Sequence, residues 1–307
     1  MKKKKTRLDI TAWDYFNPRY WPILLGLVFL RLLGKLPLSW TRALGKRLGR
    51  FLMIFAKRRR HIASVNLKLC FPQLSAEQHQ KLLTEVFEDT GMALLEIGWA
   101  WYADMQKYGD VDIIGLENLS QARAQNKGVI LISFHQTTLE LGGAYFGRDQ
   151  DDIVAVYKPD RNPFFDRAMF NGRNRNCLPV AKSNLRVTLK NLKAKKVIWY
   201  AADQDYGRAQ SVFVPFFGIP AATVTATSWF VKQTGAIVIP MTHRRTQAGI
   251  QVEIHPALEN FAKIDDTTDA AQIMGFLEQY LKKYPANYLW VHRRFKTRPE
   301  GEPTFYN

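Results

Sequence analysis

The sequence predicts an α/β fold, a mostly parallel sheet flanked by helices on both faces, behind a helical and membrane-attached N-terminal region. Two patterns point to it. From about residue 110, short β-branched runs alternate with polar stretches of helical length, the signature of strands joined by crossover helices. Before that point, the most apolar segment of the chain coincides with its densest positive charge.

The N-terminal region comes first. Residues 1–60 hold sixteen Lys/Arg against two acids, Asp9 and Asp14, so most of the formal +17 sits there and about +3 is left for the other 247 residues. A surface that tracked nucleic acid would spread its charge over the folded body, so a nucleic-acid partner is not expected. Basic residues flanking 21-WPILLGLVFLRLLGKLPLSW-40 instead read as attachment to an anionic membrane surface. The uninterrupted apolar run is shorter than the ~20 residues a spanning helix needs. With Arg31 and Lys35 snorkelling toward the interface, the segment is expected to be a single retained anchor at about 21–40, spanning or deeply embedded. No small-residue cleavage site follows it, and lysines and arginines on both sides leave its orientation open.

Residues 41–60 place apolar side chains at helical spacing against a basic face. Residues 75–102 read as a helix that opens with a Ser75/Gln78 capping box. The expected organisation is a basic region with the anchor at 1–60, a helical region at 61–109 and an α/β domain at 110–307. In the last part, strands are expected at 111–115, 129–134, 153–157, 197–203, 237–241 and 250–254, with helices at 163–175, 183–195, 221–234 and 267–284. Cys70 and Cys177 form no disulfide framework or CxxC pair, which fits a reducing compartment, and neither has the context of a nucleophile.

Ligands of open α/β sheets lie beyond the carboxyl ends of strands, and His135 and Asp203 each fall at such an end. The stretch 128-GVILISFHQTTLELGG-143 delivers the histidine and follows it, five residues on, with Glu140. Positions five apart on one helix point about 140° from each other, so the two meet only across a strand-to-helix turn, with Thr137 or Thr138 as N-cap. Glu140 then reads two ways. Thr137-x-x-Glu140 is a capping box that stabilises a helix start, and the same carboxylate is placed to orient a histidine. The readings are compatible. A zinc site is not expected, because HxxxxE lacks the i, i+4 histidine pair and no third ligand is near.

Further blocks accompany HxxxxE: 157-YKPDRNPFFD-166, 172-GRNR-175, 203-DQDYG-207, 213-FVPFFGIPAATVTA-226 and 290-WVHRRFKTRP-299. Together they resemble, over nearly the whole chain, the late acyltransferases of lipid A biosynthesis, the lauroyl, myristoyl and palmitoleoyl transferases, within the wider HxxxxD/E glycerolipid-acyltransferase-like group. The resemblance implies transfer of a fatty acyl chain from acyl-acyl carrier protein to a hydroxyl on an acyl chain of a lipid A precursor. It implies an inner-membrane enzyme with its site on the cytoplasmic side and no cofactor or metal. His135 would be the general base, oriented by Glu140. Arg173 would grip a phosphate or the thioester region, with Arg175 its close competitor, and Lys158 and Arg161 would be further phosphate contacts. Asp203 matches another important acid, placed either to pair with the arginine or to shape the floor of the site. The 213–218 run reads as an acyl-groove wall or plain core, and the basic 290–299 block as a face for phosphate head groups or the acidic carrier protein. No G-x-S-x-G elbow occurs, so direct attack on the thioester is more economical than an acyl-enzyme. A lysophospholipid or glycolipid acyltransferase is the alternative that keeps this chemistry, but DQDYG and WVHRRFKTRP match the lipid A branch better. A catalytically silent membrane-binding protein would not need both His135 and Glu140.

Overall fold

The computed structural model describes residues 5–105, 112–247 and 249–307. Val111 of the expected first strand and the expected boundary at 109/110 lie outside the described residues. Three short 3-10 turns (Arg7–Asp9, Ala12–Phe16, Pro18–Tyr20) lead into α1 (Trp21–Leu33), α2 (Leu38–Phe55), α3 (Lys57–Cys70) and α4 (Ala76–Tyr102). Then follow β1 (Asp112–Ile114), α5 (Leu116–Ala124), β2 (Val129–Ser133), α6 (Leu139–Arg148), β3 (Ile153–Tyr157), α7 (Pro163–Arg173), β4 (Leu178–Ala181), α8 (Leu185–Lys193) and β5 (Val197–Ala201). The chain continues through β6 (Ser211–Phe216), β7 (Ile219–Val224), α9 (Ala226–Thr234), β8 (Ile237–Arg245), β9 (Ile250–Ile254) and α10 (Asp266–Lys283).

Seven strands form one sheet in the order β1-β9-β8-β2-β5-β3-β4, while β6 and β7 form a separate hairpin. Among the described residues, only the β8–β9 pair in the large sheet is antiparallel. Along β2, Val129 and Leu131 enter the apolar cluster on one face and Ile130 and Ile132 the cluster on the other. That two-sided burial is what an unbroken apolar strand requires in a covered parallel sheet.

Helix α4 joins the N-terminal helices to the sheet. Its capping box forms, with the Ser75 hydroxyl accepting from Gln78 N and the Gln78 side chain accepting from Ser75 N. Its first half (Leu82, Leu83, Val86, Phe87) lies in one cluster and its second half (Trp99, Ala100, Trp101) in the other. Against it, α2 approaches at backbone contact: a Cβ on Gly91 would stand 2.2 Å from the Gly45 carbonyl oxygen and 2.4 Å from Gly49 N. Only glycines permit that crossing.

Four expectations are narrowed or corrected. First, among the described residues no helix is long and apolar enough to cross a membrane, so the anchor at 21–40 is not confirmed as a span. Pro22 starts α1 and Gly34 ends it after 13 residues, about 20 Å of helix against a hydrocarbon core of roughly 30 Å. Second, 221–234 is not one helix. β7 occupies it to Val224, because the Phe217-Gly218 turn, with φ of 52° and 74°, folds the β-branched Thr223-Val224 back onto β6. Two consecutive positive φ values are those of a type I′ hairpin turn. Third, of the two readings of 213–218, groove wall or plain core, Val214 and Phe216 take the core one. Fourth, half of the basic block near 290–299 points inward. Arg294 donates to the Ala222 carbonyl (2.8 Å) and the Thr223 hydroxyl (2.9 Å), and Arg298 to the Pro220 carbonyl (2.7 Å). These buried guanidiniums satisfy the carbonyls of a strand that joins no further strand. Sequence reasoning also passed over β4, a four-residue edge strand containing Pro179.

Candidate active site

Two adjacent strand ends bring the first pair together. β2 and β5 run parallel in register, with Ser133 opposite Ala201, so the residues just beyond them face each other one strand spacing apart. His135 follows β2 and Asp203 follows β5. The His135 backbone N–H donates to both Asp203 carboxylate oxygens (3.2 and 3.1 Å), and Nδ1 lies 2.8 Å from Oδ1. A carboxylate only accepts, so Nδ1 carries the proton and Nε2 holds the lone pair. The Asp203 side chain is fully buried, and that of His135 is 21% exposed. Burial pushes the Asp203 carboxyl up, but its closeness to the His135 ring and the hydrogen bonds from His135 outweigh this and hold it at about 2. From the 285–290 loop the Tyr288 hydroxyl donates to the Asp203 carbonyl (3.5 Å), and Leu289 N donates to the His135 carbonyl (3.0 Å).

The second pair lies across the turn. Glu140, in the first turn of α6, accepts from Trp101 Nε1 (2.8 Å) and Arg173 Nε (3.2 Å), and its other oxygen takes a short bond from Arg173 Nη2. The guanidinium fork thus grips the carboxylate with two nitrogens. Burial raises the Glu140 carboxyl, and Arg173 more than reverses this, so its pKa lies below the usual value. Arg173 also stands over the Tyr157 ring, 5.6 Å from its centroid.

This geometry corrects the expected partner of His135. Asp203 accepts from the imidazole, while Glu140 is bound to Arg173 and Trp101. The cause is topological: β5 adjoins β2, whereas Glu140 leaves the turn on the α6 side that faces α4 and α7. The capping box also fails to form. Thr138 is the N-cap without a side-chain cap bond, its hydroxyl lying 2.7 Å from His243 Nδ1, and Thr137 donates to Asp89 and Asn287.

Of the two arginines at the end of α7, Arg173 enters this cluster and Arg175 turns away to donate to the Trp101 carbonyl (2.9 Å). Lys158 and Arg161 lie exposed on the loop after β3, on the same carboxyl edge as His135 and Asp203. Among the described residues, no group of three His, Cys, Asp or Glu could hold a metal ion.

The turn itself rests on a polar scaffold that sequence reasoning did not find. Arg245, at the end of β8, donates to the Thr137 carbonyl (2.9 Å) and pairs with buried Glu96 (2.7 Å), which also accepts from Arg42 (2.9 Å). His243 is buried against Thr138 and Ser133. No local motif marks these residues, since they meet only when α2, α4 and β8 pack together. Trp101 and Tyr157 were missed for the same reason.

The arrangement suits acyl transfer to a hydroxyl: an imidazole with a free basic nitrogen, a buried carboxylate that fixes its tautomer, and a carboxylate-held guanidinium nearby. Comparison with known proteins agrees. The family model for bacterial lipid A biosynthesis acyltransferases matches residues 9–297. The lipid A biosynthesis palmitoleoyltransferase of Escherichia coli (strain K12) is 39% identical over 300 residues, covering 95% of this chain and 97% of that protein. The lauroyltransferase of the same strain is 38% identical over 311 residues, covering 98% and 100%. Its myristoyltransferase is 27% identical over 319 residues, covering 98% and 96%. With nearly its full length matched, the chain belongs to the bacterial lipid A biosynthesis acyltransferases.

Proposed function

We propose that this acyltransferase moves a fatty acyl chain from the thioester of acyl-acyl carrier protein to a hydroxyl on an acyl chain of a lipid A precursor, with His135 as general base. The observation that carries the reading is the Nδ1 hydrogen bond to Asp203, which leaves Nε2 as the proton acceptor. Nε2 takes the hydroxyl proton as the oxygen attacks the thioester carbon. The tetrahedral oxyanion then collapses, the carbon–sulfur bond breaks, and the leaving sulfur receives the proton from the imidazolium. Asp203 stabilises that imidazolium, as the acid of a triad does. Glu140 holds Arg173, leaving Nη1 for the oxyanion or for a phosphate of either substrate. Lys158 and Arg161 are further phosphate contacts in this reading.

The N-terminal helices supply a seat on the cytoplasmic face of the inner membrane. Leu25, Val28, Phe29 and Leu32 of α1 and Trp40, Phe51, Ile54 and Phe55 of α2 are exposed, with Lys46, Arg47, Lys57 and Arg58 beside them. An apolar face rimmed by lysine and arginine supports a helix pair lying in the interface plane rather than across it. Mass spectrometry of lipid A from cells lacking or expressing the gene tests the activity. A change in acyl count is expected, and an unchanged set of species overturns it. Flotation with anionic vesicles, weakened at high salt, tests the seat; equal flotation with neutral vesicles counts against the electrostatic part.

A further inference from the structure

Residues 5–20 cross α7 before α1 begins. Arg7 Nη1 donates to the Tyr157 hydroxyl (2.9 Å) and to Asp166 (3.2 Å), and its guanidinium lies 4.1 Å from the Phe170 ring centroid. Tyr15 and Tyr20 each bring a ring 4.9 Å from that of Phe164. The ring face of Tyr157 meets Arg173, the arginine held by Glu140. A continuous set of contacts therefore runs from Arg7 through Tyr157 and Arg173 to Glu140. Asp166 Oδ1 also accepts from Asp160 N (3.1 Å), but Arg7 is the partner of Oδ2, so Arg7→Lys, which keeps the charge, separates loss of the ion pair from loss of the Tyr157 contact. The same segment turns Leu8, Trp13 and Phe16 outward at 79%, 83% and 73% exposure, apolar side chains suited to a bilayer interface.

We infer that residues 5–20 form a membrane-seated strap that holds Tyr157 against Arg173, which makes Arg7 a positioning residue for acyl transfer. The inference rests on the reading above that Arg173 and Glu140 belong to the reacting centre. Arg7 touches no substrate. It acts by fixing the ring on which the arginine packs, so its loss is felt in turnover more than in substrate capture.

The test is steady-state kinetics of the full chain in vesicles of phosphatidylethanolamine and phosphatidylglycerol. Arg7→Ala is expected to lower kcat roughly tenfold, less than the ~10²-fold cost of a full 1 Å misplacement, with the acceptor KM within about twofold. Tyr157→Phe should do the same. The double variant should fall no further than the lower single, because both act on one path. Arg7→Lys should recover part of the rate, since an ammonium still donates to the Tyr157 hydroxyl. Wild-type kcat in Arg7→Ala, or a double variant showing the product of the single losses, overturns the inference. So does a loss matched by a fall in Tm that Arg7→Lys does not reverse. Trp13→Glu with Phe16→Glu should lower kcat in vesicles to the Arg7→Ala level, and an unchanged rate overturns the membrane seat of the strap. Full activity in Arg173→Ala would instead strike the reading of the site, a result separable from any seen at Arg7.

Discussion

The turn between β2 and α6 has a histidine on each side, and the two sit in opposite surroundings. His135 has one ring nitrogen bound to a buried carboxylate and the other free, at a partly exposed edge. His243 is buried, with Thr138 Oγ at 2.7 Å from Nδ1 and Ser133 Oγ at 3.3 Å from Nε2. The residue type is shared; what differs is the leftover hydrogen-bonding capacity and the sign of the nearest charge. His135 faces Asp203, whereas Arg245 lies near His243. His135 keeps a ring nitrogen available at the edge of the sheet, while His243, buried near a guanidinium, is held neutral as part of the framework.

Breaking the proposed catalytic side should cost activity without stability. His135→Ala is expected to lower kcat by about 10²–10⁴-fold while Tm stays within a few degrees. Retained turnover would place the base elsewhere. Asp203→Asn sharpens the contrast with Glu140. An amide can present a donor to the imidazole and favour the wrong tautomer, so a loss of up to about 10⁴-fold is expected at preserved fold. Glu140→Gln keeps Trp101 as a donor partner but removes the charge that holds Arg173, and should cost less than Asp203→Asn. A reversed order would mean that the guanidinium, and not the histidine, dominates the chemistry.

Breaking the framework side should cost stability first. Glu96→Ala leaves Arg42 and Arg245 without their shared acid in a buried setting, and Asp89, 3.3 Å from Arg245, is the acid that remains. Removing one partner of a buried ion pair typically costs about 3–5 kcal/mol. Chemical denaturation should register that loss, together with a loosened turn and lower activity. Wild-type stability would mean that water reaches the site and solvates the arginines.

The same division explains what was readable in the sequence. The end of β2 and the end of β5 each announce themselves as an apolar run that stops on a titratable side chain, so His135 and Asp203 were found as strand-end residues. That they bond to each other was not readable, because it depends on β5 lying beside β2, and that order is decided by packing far along the chain. Spacing drew attention to Glu140 instead, since five residues is a local quantity. Arg294 and Arg298 misled for a related reason: a basic run looks solvated until a hairpin with spare carbonyls lies against it. The start of the segment 221–234 read as helix because Phe217, which shares the positive-φ turn with Gly218, gives no sequence sign of that backbone.

The subtlest way to test the comparison is pH. Burial, with the Arg245 charge second, pushes His243 down from an ordinary value of 6.5 to about 3. In the unfolded chain the imidazole regains its normal proton affinity. Below pH 6.5 the unfolded state therefore binds a proton that the native state refuses, so this group's contribution to stability is fully present above pH 6.5. It is lost as pH falls toward 3, at a slope approaching ~1.4 kcal/mol per pH unit for one proton. His243→Gln replaces the titrating ring with an amide that still donates and accepts. The variant should be less stable near neutrality, because its hydrogen bonds to Thr138 and Ser133 are not reproduced in full, but it should lose less stability on acidification. Urea melts of both proteins between pH 7 and pH 4.5 would measure the slopes. Parallel curves would mean that His243 takes up its proton in the folded state, and the contrast with His135 would then rest on exposure alone.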